Sequence, residues 1–218
     1  MKQLIEFSYD GQEALKAVIE ESSYRTLEQA IACLATFAHP DTVRAINTSH
    51  LFCVVRTRNN AARGQIVELA GGVRAMQDDN LTPTNAFIWA HGIRRNRYKD
   101  VQFNHVWGQS ADITAYTNLA NIFALPSFLT KLTDAHPGVK ALLRYRCYEL
   151  FQYHPEGTQT PEMPRAYNEL QWAAPLPYVS DLEARYRRAM TSSPRSRTTV
   201  SAREIGWYFS GYEPDTEL

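Results

Sequence analysis

Five prolines, Pro155, Pro161, Pro164, Pro175 and Pro177, crowd the stretch 155–177. Proline fixes φ and has no backbone N–H, so this stretch can neither continue a helix nor serve as a central strand. It is expected to wrap the surface, and the core must be assembled mainly from what precedes it. Those earlier segments alternate between two periodicities. Residues 26–38 place Leu27, Ala30, Ile31, Leu34 and Ala38 on one helical face behind a Thr26/Gln29 capping pair. Residues 138–153 repeat that spacing with Val139, Leu142, Leu143, Cys147, Leu150 and Phe151. Residues 51–58 and 64–76 are instead β-branched and bounded by Asn59-Asn60 and Gly71-Gly72, which predicts strands joined by turns in a small antiparallel sheet. Thr82-Pro83 opens a short helix that Gly92 ends, and Ser180-Asp181-Leu182-Glu183 is a capping box for a helix reaching Met190. The expectation is one α+β domain over residues 1–218, whose residues 155–218 form a proline-rich and helical C-terminal extension.

With 218 residues, 44% of them hydrophobic, the chain can bury a sizeable core. Its 23 basic and 23 acidic side chains cancel, so any hold on a polyanion must come from local clustering of charge. Such clustering exists. Residues 1–30 carry three basic against six acidic groups, residues 52–110 eight against four, and residues 181–203 six against two. Residues 191–199 read as a basic linker before an aromatic end, GWYFSGY, which offers a docking patch for a partner. Cys33, Cys53 and Cys147 are odd in number and lack C-x-x-C spacing, so a disulfide framework and a structural zinc are both unexpected and a reducing compartment is indicated. No apolar run approaches the roughly 18–20 residues of a membrane span, and the opening residues carry no secretory leader pattern. The expected location is the cytoplasm.

Functional expectations concentrate in residues 101–134. A β-like run through Val101, Phe103 and Val106 delivers His105 near its end, and a loop containing Gly108, Ser110 and Asp112 follows. Thr117 is a suitable N-cap for a helix that Asn118 would open, with its carboxamide turned back toward His105. The pattern His-Val-x(11)-Asn-Leu resembles the HNH nucleases of the ββα-metal type, and residues 94–134 would form the corresponding hairpin-and-helix core.

That resemblance implies a metal-dependent DNA endonuclease. His105 would be the general base on a water, Asn118 would orient its imidazole, and Mg²⁺ or Mn²⁺ would stabilise charge on the phosphate and leaving oxygens. The family's metal-ligand position before the histidine, usually Asp, Glu or His, holds Asn104 here, a neutral and weaker ligand for a hard cation. The third family position falls on Ser127, and the zinc-binding cysteines of many members are absent. Asp112, Asp134 or His136 completes the ligand set if the fold brings one of them close. Asn121, three residues after Asn118, competes for the asparagine's place. Arg94, Arg95, Arg97 and Lys99 just precede the strand and are expected to hold the DNA backbone. Asn104 and Ser127 favour an alternative, a non-catalytic nucleic-acid-binding or assembly protein that keeps the scaffold after losing its ligands. His39, His50, His91, His136 and His154 show no H-x-x-x-H spacing and are assigned no chemistry.

Overall fold

A computed structural model describes residues 6, 8, 10–46, 51–93 and 99–192. In chain order these form α1 (Gly11–Glu20), α2 (Leu27–Leu34), β1 (Thr36–Phe37), α3 (Pro40–Arg44), β2 (Val54–Arg56), β3 (Ile66–Glu68), β4 (Arg74–Asp78) and α4 (Leu81–Ala90). Then follow β5 (Val101–His105), α5 (Ile113–Tyr116), β6 (Ile122–Pro126), α6 (Thr130–Ala135), α7 (Pro137–Phe151) and α8 (Leu182–Ser192). The fold is a mixed α+β one, with two small sheets ordered β1-β6-β5 and β2-β4-β3.

β6 is the hinge of the architecture. It lies between β1 and β5, antiparallel to both, and its Ile-Phe-Ala-Leu run is buried on both faces. Side chains alternate across a strand, so Ile122 and Ala124 join one core while Phe123 and Leu125 join the other. The first core holds Phe52, Met76 and Phe87 together with Leu182 and Tyr186 of α8. The second gathers α1, α2, α6 and α7 through Ile19, Ile31, Leu132, Val139 and Leu143, with Phe37 stacked on Phe123 at 5.4 Å. Removing such doubly enclosed side chains costs several kcal/mol each, about 3–5 for Phe to Ala.

Local signals account for the element ends. Thr26 caps α2 by accepting from Gln29 N at 3.1 Å. The helix stops at Leu34, short of Ala38, because Thr36 and Phe37 pair with Ala124 and Phe123 instead. The β3–β4 hairpin turns through Gly71 and Gly72, both at positive φ (80° and 78°). The sheet of residues 54–78 is mixed, not antiparallel as expected, since β2 runs parallel to β4 with Val54 opposite Met76. Arg56 and Thr57 thereby end up beside Asp78, with Thr57 N donating to its carbonyl at 2.8 Å. The proline-rich stretch does wrap the second core. Ala173 N donates to Ala32 O and Leu176 N to Phe37 O, both at 2.9 Å, and Tyr167 is buried beneath it.

At the end of α4, buried His91 donates from Nδ1 to the Phe87 carbonyl at 2.8 Å, while its Nε2 has no partner among the described residues. Burial is the main reason its pKa falls from 6.5 to about 4; the bond to Phe87 opposes the shift, and charges at His39 and Arg185 add to it. The unfolded chain thus binds this proton from pH 6.5 downward and the folded chain only near 4. Stability contributed at neutral pH is lost as pH falls through that window, by about 3 kcal/mol in total. Urea unfolding across pH 4–7 is expected to show that slope in the wild type and to lose this component in His91→Gln. An unchanged slope in the variant would contradict the assignment.

Candidate active site

The loop joining β5 to β6 is held at many points, and these hold His105. Arg56 N donates to Ser110 O at 2.9 Å, tying the loop to the end of β2. Buried Thr117 accepts from Leu51 N and Phe52 N and donates to Phe52 O. The Tyr116 hydroxyl donates to the Asp79 carbonyl at 2.6 Å. Asn121, fully buried, accepts from Trp107 N at 2.8 Å and donates to Trp107 O and Ala115 O at 3.2 and 3.0 Å. One side chain thus bonds three backbone groups of the loop, of which Trp107 O also accepts from Gln109 N at 2.8 Å.

His105 closes β5 opposite Ile122, on an edge strand. Its ring stacks on that of Tyr116 at 5.5 Å and 23°, and its Nε2 lies 2.8 Å from the Tyr116 carbonyl. A carbonyl only accepts, so Nε2 carries the proton and Nδ1 presents a lone pair. Desolvation is the leading cause that lowers the imidazole's pKa below 6.5, with the Arg56 charge adding to it and the bond to Tyr116 opposing it. The ring is therefore a neutral, oriented proton acceptor at pH 7.

A cavity of about 390 Å³ runs along the β5 edge and is bordered by Arg56, Asn104, His105, Thr130, Lys131 and Asp134. Strand alternation sends Asn104 and His105 to opposite faces, and both reach this cavity because β5 has no outer neighbour among the described residues. Ser127 also borders it, but its hydroxyl is engaged, donating to Asp100 O at 2.8 Å. The carboxamide of Asn104 uses its nitrogen in a long 3.5 Å bond to Gln102 O, which leaves the oxygen uncommitted. The Thr130 hydroxyl oxygen is buried without a hydrogen-bond partner among the described residues.

The expected helix at Asn118 is replaced by a 3₁₀ turn, Leu119–Asn121, and then β6; the helix after the hairpin is α6. Two strong pairings decide this, since β6 is bonded on both sides and a helix would forfeit those bonds. Asn118 caps the turn, accepting from Ala120 N at 2.9 Å, and its side chain also bonds Tyr153. The group that orients His105 is the Tyr116 carbonyl, two residues earlier. Among the conditional ligands, Asp134 borders the cavity, whereas Asp112 caps α5 through Thr114 N and His136 caps α7 through Val139 N. Lys99 is exposed; Arg94, Arg95 and Arg97 lie outside the described residues, as do residues 193–218. The sequence reading gave no site to Arg56 or Lys131, although Arg56 belongs to the basic segment it marked.

A metal fits this donor set in one mode. Among the described residues there is no group of three His, Cys, Asp or Glu side chains able to enclose an ion. Asp134, Asn104 and Thr130, whose side chains carry hard oxygen donors, border one cavity. That composition suits Mg²⁺ or Mn²⁺, which keep much of their water and lean on one carboxylate plus substrate phosphate. Comparison with known proteins found no matching family, no matching curated protein and no matching solved structure.

Proposed function

We propose that the protein is a metal-dependent endonuclease that hydrolyses DNA phosphodiester bonds, with His105 as general base. The observation that carries this reading is that His105, whose Nε2–H is spent on the Tyr116 carbonyl so that Nδ1 keeps its lone pair, borders a cleft that Arg56, Lys131 and Asp134 also border. Nδ1 takes a proton from water as the water oxygen attacks phosphorus; the bond from phosphorus to the leaving sugar oxygen breaks, and that oxygen takes a proton from solvent. Arg56 and Lys131 draw the anionic phosphate into the cleft. Asp134, Asn104 and Thr130 would hold Mg²⁺ or Mn²⁺, which when bound supplies positive charge to the phosphate oxygens. The three free cysteines, two of them buried, support a reducing, cytoplasmic setting. Among the described residues no helix is long and apolar enough to cross a membrane.

A supercoiled plasmid incubated with the full chain is expected to be nicked in Mg²⁺ or Mn²⁺ and left intact in EDTA. A second reading, a nucleic-acid-binding protein without catalysis, is favoured by the lack of a dense ligand cluster among the described residues. It is the one left standing if no divalent ion supports nicking while salt-sensitive DNA binding persists.

A further inference from the structure

Beside the catalytic cleft lies a larger groove of about 870 Å³. The two adjoin, sharing Arg56, Asn80, Gln102 and Phe103 in their walls, so one extended strand can contact both. Arg58 and Arg63 border only the groove. Its charge follows from local geometry. Arg56 ends β2, Arg58 lies in the bend that follows, and both border the groove. A 3₁₀ turn, Asn60–Ala62, capped by Asn59 through Ala61 N, then brings Arg63 round to the same wall.

The three arginines are not equivalent. Arg63 pairs with Asp79 at 2.9 Å, which fixes it in place and largely cancels its charge. Arg56 and Arg58 are exposed and form no ion pair with the described residues. On a chain with zero net charge, two uncompensated guanidinium groups side by side in a groove are a local feature and not background. Guanidinium forks match phosphate oxygens bidentately, and the amides of Asn80 and Gln102 beside them offer donors and acceptors to sugar or base. A compact anion would need only one end of such a space; a run of phosphates uses its length.

We propose that this groove is the strand-binding site of the enzyme, holding the nucleic-acid backbone on one side of the scissile bond, with Arg58 as its principal phosphate contact outside the cleft. The proposal rests on the hydrolytic reading for which bond is scissile, but its test does not.

The test measures binding of a fluorescent single strand and of its duplex to the full chain by anisotropy, in EDTA, across a range of NaCl. Arg58→Ala is expected to weaken binding about tenfold and to lower the slope of log Kd against log salt by about one, as loss of a single phosphate contact does. Arg58→Glu is expected to weaken it further. Arg74→Ala, an exposed arginine on β4 outside the groove, controls for bulk charge and should bind as wild type does. Whichever probe shows the larger Arg58 effect identifies the strand form the groove accepts. Wild-type Kd and salt slope in Arg58→Glu for both probes would overturn the proposal. If Arg58 variants lose binding but the wild type nicks nothing, hydrolysis fails and the groove stands; if the wild type nicks and Arg58→Glu binds normally, the groove fails and hydrolysis stands.

Discussion

His105→Ala is expected to lower the single-turnover rate of plasmid nicking by about 10²- to 10⁴-fold, the range a positioned general base contributes. Its fold should survive, because the ring is only half-buried at the sheet edge and the loop beside it is secured by Thr117, Tyr116 and Asn121 independently of His105. The pH profile adds a second signature. Since burial and the Arg56 charge outweigh the bond to Tyr116, the imidazole stays neutral to a pH below 6.5. The acid limb of the wild-type rate should therefore lie below that value, and it should move upward in Arg56→Ala, which removes a charge opposing protonation. An acid limb that does not move between wild type and Arg56→Ala would show that the His105 imidazole is not the group titrating in the step.

The largest stability effect should come from Asn121. Asn121→Ala strands Trp107 N–H and Ala115 O in a buried position, where each unpaired group costs about 1–3 kcal/mol, while Trp107 O keeps its bond from Gln109 N. Urea denaturation is expected to show a loss of about 3 kcal/mol or more, together with slower nicking, because Trp107 lies two residues past His105 and Ala115 next to Tyr116. Asn118→Ala gives up the bonds to Ala120 N and Tyr153 at the 3₁₀ turn and should cost about 1 kcal/mol, the usual worth of such a cap. Equal losses for the two variants would mean that Asn121 is not the loop's main anchor.

How far this was legible in the residues depends on the kind of signal. Caps are local chemistry, so Thr26 at α2 and the Thr82-Pro83 entry to α4 were readable, and Gly92 marks the end of α4 because at φ 61° an added Cβ would overlap the Arg185 guanidinium. Gly71-Gly72 was readable as a turn because glycine adopts positive φ freely, and both sit there. β6 was not: Ile-Phe-Ala-Leu has no period that separates a buried strand from a buried helix, and pairing with β1 and β5, both distant choices, decides it. Parallel pairing of β2 with β4 is likewise a tertiary outcome. His105 and Asn104 were proposed from their local pattern, and the structure places both at the border of one cavity. The contribution of Asp134 depended on where α6 would lie, and the orienting group of His105 is a backbone carbonyl, which no residue type announces. The arginines at 56, 58 and 63 were counted as charge without a site, because only the β2 end and its turn bring them onto one wall.

Chemical rescue tests the central claim most directly. Single-turnover nicking by His105→Ala in Mg²⁺ is followed as imidazole is added, alongside the wild type under the same conditions. The account expects the variant's rate to climb with imidazole and saturate, with a dependence on the neutral form of the added base, while the wild type is unaffected. A variant that nicks as fast as the wild type without imidazole, or a wild type that nicks under no divalent ion, would contradict it.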